Sequence, residues 1–78
     1  MTHPAAIPFD LTGDQIELAQ LLKAVGACDS GGIAKHVVQG GEVTVNGTKE
    51  FRRGRKLAAG DLVVYRGKAY EVRAARTR

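Results

Sequence analysis

The chain has 78 residues, with 12 Lys and Arg against 8 Asp and Glu, and a formal net charge of +4. This length accommodates one domain, and the single cysteine, Cys28, excludes an internal disulfide framework and a multi-thiolate metal site. Because the only aromatic residues are two Phe and two Tyr, the composition also excludes a broad stacking surface for single-stranded nucleic acid.

The N-terminal residues predict neither secretion nor a membrane partner. Residues 1–8 contain no basic segment and no apolar run, which a secretory signal would need. No stretch of the chain approaches the ~20 apolar residues of a transmembrane helix. We therefore expect a soluble cytoplasmic protein, with a flexible N-terminus over 1–8, one domain over 9–74 and a flexible tail over 75–78.

A short strand and a first helix are predicted in the first third of the chain. Residues 7–11 alternate apolar and other side chains, which indicates a short edge strand. Asp14 followed by Glu17 is typical of a helix start, and Gly26 is a suitable stop because glycine accepts the left-handed conformation. A helix over 15–25 would have one apolar face, made of Leu18, Leu21, Leu22 and Val25.

A second helix is predicted after the short connection Ala27-Cys28-Asp29. Ser30 is a good N-cap residue, and Gly40-Gly41 ends the helix. Because the connection is short, the two helices are expected to pack as neighbours. The apolar arc of this helix consists of Ile33, Ala34, Val37 and Val38, and the opposite arc of Gly31, Lys35 and Gln39 at i, i+4 and i+8.

The apolar period changes to two after the second helix, which predicts a small antiparallel sheet. Val43–Val45 is the first strand, and Asn46-Gly47 is the strongest hairpin signal, since a type I′ turn needs positive φ at both positions. The return arm is predicted over 48–53, and a second hairpin over 62–73 around Arg66-Gly67. The expected class is α+β, with two packed N-terminal helices against the sheet.

The positive charge is concentrated in the second part of the chain. Residues 1–31 carry one Lys and four acidic residues, a balance of −3, whereas residues 32–78 carry eleven Lys and Arg and four acidic residues, a balance of +7. The run 49–56 holds five cations in eight residues. Such clustering is typical of a polyanion-binding surface, although a solvated basic face would look the same. The guanidinium groups of the arginines on either side of Gly54 can each bind two phosphate oxygens, and the glycine lets the backbone approach the phosphate closely.

No set of residues indicates catalysis, a metal or a cofactor. Cys28 and His36 lack a third group that would orient a nucleophile and base, and they lack the spacing of metal ligands. Ser30-Gly31-Gly32 opens a helix whose first amides could hold a phosphate, and simple N-capping by Ser30 explains the pattern equally well. We therefore expect that the protein is not an enzyme and that it has no small-molecule substrate.

One extended pattern resembles a known family. It consists of Ser30, Ala34, Val37, Val38, Gly41, Val43, Val45, Asn46 and Gly47. This pattern is similar to the core of the RNA-binding domain first seen in small-subunit ribosomal protein S-four, the alpha-L motif. Residues 52–63 resemble the version in small stand-alone bacterial members of the YbcJ type. The resemblance runs from about Phe9 to Val72, and it departs at Gly31, where many members have an arginine that often touches RNA.

The resemblance implies a protein that binds structured RNA, such as ribosomal or transfer RNA, whereas the residues alone indicate only a polyanion. We expect the protein to be a monomer. The alternative from another class is an adaptor whose basic face docks on an acidic protein partner. Asn46 is expected to form the turn rather than a contact, and Gln20 and Lys23 on the first helix are weaker candidates. The predicted RNA contacts are Lys35, Arg52, Arg53, Arg55, Lys56, Lys49, Gly31 and Gln39.

Overall fold

The computed structural model describes residues 6–74 of the chain, which form two helices and several short strands joined by turns and loops. In chain order they are β1 (Ile7–Asp10), β2 (Ile16–Glu17), α1 (Leu18–Ala24), α2 (Gly31–Gln39), β3 (Val43–Val45), β4 (Thr48–Lys49), β5 (Lys56–Leu57), β6 (Leu62–Tyr65) and β7 (Lys68–Arg73). The predicted α+β class with two helices is confirmed, but two strands precede the helices.

Five of these strands form one sheet in the order β1-β7-β6-β3-β4. All neighbours are antiparallel except β1 and β7, which run parallel with Ile7 opposite Tyr70. The sheet is therefore mixed, and the expectation of an antiparallel sheet is wrong at this edge. The alternation at residues 7–11 predicted the strand itself, but a strand's own pattern does not specify the distant partner with which it pairs.

The strand β1 also corrects the predicted N-terminal boundary. Ile7 and Pro8 fall in the segment expected to be flexible, yet both are paired in register with β7. Pro8 is tolerated there because β1 is an edge strand, where a missing N–H need not break the ladder. The rest of the predicted flexible ends, residues 1–5 and 75–78, lies outside the described residues.

The helices and the sheet share one hydrophobic core. The predicted apolar face of α1 is buried at its three leucines and half-buried at Val25, and α2 adds Ala34 and Val38, both fully buried. Ile33 was predicted on the same arc but is 46% exposed. It stands at one edge of that arc, about 100° from Ala34, whereas the rest of the arc, including Val38 at the opposite edge, faces the core. From the strands, the most deeply buried side chains are Val43, Leu57, Val63 and Val72.

Helix α1 begins at Leu18, three residues later than predicted, and Asp14 lies outside it. Its N-cap residue Glu17 makes no side-chain cap hydrogen bond. Instead, the amide of Leu18 donates to the carbonyl of Arg55 at 2.9 Å, and that of Ala19 to the carbonyl of Arg53 at 3.0 Å. The local Asp-x-x-Glu pattern was therefore misleading, because distant backbone carbonyls satisfy the first amides of the helix.

The turn predictions hold at the other element ends. The hydroxyl of Ser30 accepts from the amide of Ile33 at 3.2 Å and caps α2. Asn46 and Gly47 have φ values of 55° and 86°, as a type I′ turn requires. The return arm is shorter than predicted: β4 ends at Lys49, and the ladder stops after one more hydrogen bond, from the amide of Glu50 to the carbonyl of Val43 at 3.0 Å.

Candidate nucleic-acid interface

Residues 50–55, between β4 and β5, are irregular, and we refer to them as the basic loop. Three of the predicted contacts, Arg52, Arg53 and Arg55, lie within it. Lys49 precedes it in β4 and Lys56 follows it in β5. The five cations therefore lie on the basic loop and on the strand residues directly before and after it, whereas the sequence predicted them on the return arm of a hairpin.

The backbone of the basic loop is fixed against the N-terminus of α1. The carbonyls of Arg53 and Arg55 receive the first two amides of that helix, and the amide of Arg55 turns back to the carbonyl of Arg52 at 3.2 Å. Next to the loop, Lys56 pairs with Glu17 across the β2–β5 ladder, with a distance of 3.3 Å between Nζ and Oε2. The loop is therefore an ordered platform for its side chains.

The side chain of Glu50 is the internal counter-ion of this loop. The residue is only 8% exposed, and its Oε1 accepts from Nη1 of Arg55 at 2.7 Å. Its Oε2 accepts from the backbone amide and Nε of Arg52 at 3.1 and 3.3 Å. These donors, with Arg55 foremost, hold the pKa of the Glu50 carboxyl below its usual range despite its burial.

Sequence reasoning missed this role of Glu50 because an acidic residue in a basic run was read only as a reduction of charge. The available signal was its spacing, since arginines follow it at positions +2 and +5. A single buried carboxylate can organise two arginines whose guanidinium groups still reach the surface. The one carboxylate of Glu50 therefore orders the basic loop and leaves most of the loop's positive charge in place.

Most of the predicted cations remain accessible. The side chain of Arg52 is 77% exposed although it is paired, and that of Arg55 is 34% exposed. Arg53 and Lys49 are exposed and form no ion pair with any residue in the described part of the chain. Exposed ion pairs such as Lys56–Glu17 are weak, so a phosphate can replace the carboxylate as partner.

The C-terminal end of α2 adjoins this loop. A Cβ atom at Gly41 would lie 2.9 Å from Cε1 of Phe51 and 3.8 Å from Cδ of Lys49, so both side chains lie against the backbone where α2 ends. Gln39 is the last residue of α2, and Gly31 opens the helix about 12 Å away along its axis.

The remaining predicted positions on α2 are exposed. Gly31, Lys35 and Gln39 all face solvent, as the i, i+4, i+8 spacing predicts. Lys35 makes no ion pair with the residues that the structure describes. The structure therefore brings the Gln39 end of this face to the basic loop and leaves Gly31 at the far end of the helix.

Asn46 has a structural role, in agreement with its expected function in the turn. Its Oδ1 accepts from the amide of Leu62 at 2.9 Å, and its Nδ2 donates to Oδ1 of Asp61 at 3.0 Å. The other oxygen of Asp61 accepts from the amide of Ala58 at 2.9 Å. Asn46 therefore ties the β3–β4 turn to the turn before β6.

The pair of residues considered for nucleophilic chemistry is not arranged for it. Cys28 is buried, and burial, followed by the charges of Asp29 and Glu42, raises the pKa of its thiol. A raised pKa disfavours the thiolate that a nucleophile needs, and His36 is exposed. Over residues 6–74, no cluster of three His, Cys, Asp or Glu side chains could hold a metal ion, and no helix there is long and apolar enough to cross a bilayer.

Comparison with known proteins gives matches over most of the chain. A family model for the S4 domain matches residues 9–73. The probable ribosome maturation protein RlbA of Bacillus subtilis is 42% identical over 62 residues, which cover 80% of this chain and 87% of RlbA. A tyrosine–tRNA ligase of Ralstonia nicotianae is 39% identical over 66 residues, or 83% of this chain but 17% of the ligase.

A solved structure agrees with the sequence matches. YbcJ of Escherichia coli is 39% identical over 57 residues, which cover 73% of this chain and 81% of YbcJ. Its solution structure, described as revealing an αL motif involved in RNA binding, aligns with a TM-score of 0.65 and 34% identity. That alignment covers 95% of this chain and 92% of YbcJ. The resemblance based on the pattern from Ser30 to Gly47 is thereby confirmed.

Proposed function

This chain belongs to the S4 domain family, and we propose on that basis that it is a non-enzymatic, monomeric RNA-binding module. In this proposal it contacts the phosphate backbone of structured RNA through the basic loop and the exposed face of α2. The observation that carries the proposal is the ordered cluster of accessible cations in the basic loop. Glu50 binds two of its arginine side chains, and the first amides of α1 bind its backbone carbonyls.

The geometry of the loop suits phosphate in two ways. Arg52 and Arg53 present planar guanidinium groups, which match phosphate oxygens with two parallel hydrogen bonds. The loop backbone is already ordered by α1, so less conformational entropy is lost when RNA binds. Lys49, Arg55 and Lys56 extend the same surface, and Lys35, Gln39 and Gly31 continue it along α2 in the proposal.

The relatives support RNA over other polyanions and suggest which RNA to test first. RlbA is named as a probable ribosome maturation protein, and the YbcJ structure is described as having a motif involved in RNA binding. Fragments of ribosomal RNA are therefore the first ligands to test. Because the match to the tyrosine–tRNA ligase covers only 17% of that enzyme, its aminoacylation activity forms no part of the proposal.

Binding to a labelled ribosomal RNA fragment, measured by anisotropy at several salt concentrations, tests the phosphate contacts. If three to five phosphates are neutralised, log K should fall against log salt with a slope of roughly −2 to −4.5. Arg53→Glu should weaken binding strongly and reduce this slope. The matched control is Lys68→Glu, an exposed position at the start of β7, directly after the turn of the second hairpin. A flat salt response, or equal losses in both variants, would contradict the proposal.

A pull-down before and after RNase treatment distinguishes RNA binding from the adaptor alternative. In the proposed function, partners captured from a lysate are held through RNA and are lost after RNase. Direct capture of one acidic protein that survives RNase and is lost with Arg53→Glu would instead favour the adaptor. The same variant thus tests both alternatives on the same surface.

A further inference from the structure

The basic loop contains an exposed aromatic ring that phosphate binding does not use. Phe51 is 55% exposed, more than Ile7 or Ile33, the other large apolar residues exposed in the described part of the chain. It stands directly between Glu50 and Arg52 in sequence. A ring that is more than half exposed among charges gains only part of the stabilisation of burial, so folding alone does not account for its position there.

The ring is held in place rather than free to fold back. A Cβ atom at Gly41 would lie 2.9 Å from Cε1 and 3.5 Å from Cζ of Phe51, so the ring edge rests on a backbone that lacks a side chain. Gly41 has a φ of +76°, a conformation that favours glycine. The chain on both sides is also fixed, because the amide of Glu50 donates to the carbonyl of Val43 and that of Arg52 to Oε2 of Glu50.

These features match the chemistry of an unpaired nucleobase. Bases in loops and bulges stack on aromatic rings and on guanidinium planes, whereas the bases of a duplex are stacked on each other and present no free face. Phe51 offers a ring, and Arg52, with its side chain 77% exposed, offers a guanidinium group immediately beside it in the chain.

We propose that Phe51 stacks on one unpaired base of the bound RNA, next to the phosphates held by the basic loop. This inference rests on the proposed function and deepens it, because phosphate contacts do not involve the bases, whereas stacking requires a base that is free of its partner. The site is a single position and therefore agrees with the absence of a broad aromatic surface from the composition. It directs the domain to the junction of a stem with a loop or bulge.

The experiment uses two synthetic RNAs that share one stem: a hairpin with an unpaired loop, and a blunt duplex. Phe51→Leu should lower affinity for the hairpin by at least about fivefold and leave affinity for the duplex unchanged. The salt slope for the hairpin should stay unchanged, because stacking releases no counterions. Phe51→Tyr keeps the ring and should retain wild-type affinity, and thermal unfolding confirms that each variant is folded.

A spectroscopic variant reports the contact directly. The chain contains no tryptophan, so Phe51→Trp introduces the only one, and stacking of a base should quench its emission with the hairpin but not with the duplex. Equal losses of Phe51→Leu on both RNAs, or equal quenching by both, would overturn the stacking proposal. If wild-type protein binds neither these two RNAs nor the ribosomal RNA fragments, the proposed function itself fails instead.

Discussion

Nη1 of Arg55 donates a hydrogen bond of 2.7 Å to Oε1 of Glu50, the shortest ion pair among the described residues. Glu50 is also the one buried charged side chain in that part of the molecule. A buried carboxylate is tolerated when charged donors satisfy both its oxygens. The loop that we propose as the RNA-binding surface is therefore organised by its own acidic residue, which makes Glu50 the position whose change should affect loop and fold together.

Replacement of this carboxylate should destabilise the protein. Glu50→Gln keeps the shape but removes the charge that Arg52 and Arg55 face, and we expect a loss of about 1–3 kcal/mol in the free energy of unfolding. Glu71→Gln, which breaks the exposed pair with Arg73, serves as the control and should change stability by less than about 0.5 kcal/mol. Urea denaturation measures both variants, and equal losses would contradict the role assigned to Glu50.

The same carboxylate predicts an acid-sensitive component of stability. The pKa of Glu50 is lower in the folded protein than in the unfolded chain. Its contribution to the free energy of unfolding is therefore fully present at pH values above the unfolded-state pKa, and it is lost as the pH falls through the folded-state pKa. The stability difference between wild type and Glu50→Gln should therefore be constant above about pH 5 and shrink below it. Urea unfolding at a series of pH values measures this difference. A difference independent of pH down to complete acid unfolding would contradict the assignment.

Asn46 should contribute through both its backbone and its side chain. Asn46→Gly keeps the positive φ but loses the side-chain hydrogen bonds to the amide of Leu62 and to Asp61, and we expect a cost of about 1–2 kcal/mol in the free energy of unfolding. Asn46→Ala adds the strain of a left-handed conformation, a further cost of about 1 kcal/mol. Thermal or urea unfolding ranks the three proteins. If the alanine variant were as stable as the glycine variant, the turn would not need its left-handed conformation.

Ser30 allows the predicted contact at Gly31 to be tested separately from helix capping. Ser30→Ala should cost about 0.5–2 kcal/mol because the cap to Ile33 is lost, whereas Ser30→Asp keeps an acceptor there. If amides of Gly31 face a phosphate, the added carboxylate should weaken RNA binding while stability stays near that of wild type. Unchanged affinity of the aspartate variant at low salt would remove Gly31 from the interface.

The outcome of the sequence predictions depended on how local each signal was. The Asn46-Gly47 turn and the Ser30 cap were predicted correctly, because each depends on residues within one turn. The start of α1 was predicted wrongly, since the carbonyls of Arg53 and Arg55 take the place of a local cap. Local patterns cannot contain such partners, which come together only in the folded chain.

The candidate site shows the same division between composition and contacts. The cluster over 49–56 was visible as charge, and the structure keeps its cations together. The role of Glu50 and the position of Phe51 were not predicted, because both depend on the loop that follows the last ladder hydrogen bond, from the amide of Glu50 to the carbonyl of Val43.

The parallel pairing of β1 with β7 also has a consequence for synthesis. The partner of β1 is the last of the described strands in chain order, so residues 7–10 must wait for residues 68–73 before they can pair in the sheet. Contacts between such distant segments form slowly because the intervening chain must first be ordered. Folding of this domain should therefore finish at the outer edge of its sheet, and a chain interrupted before Lys68 would leave that edge open.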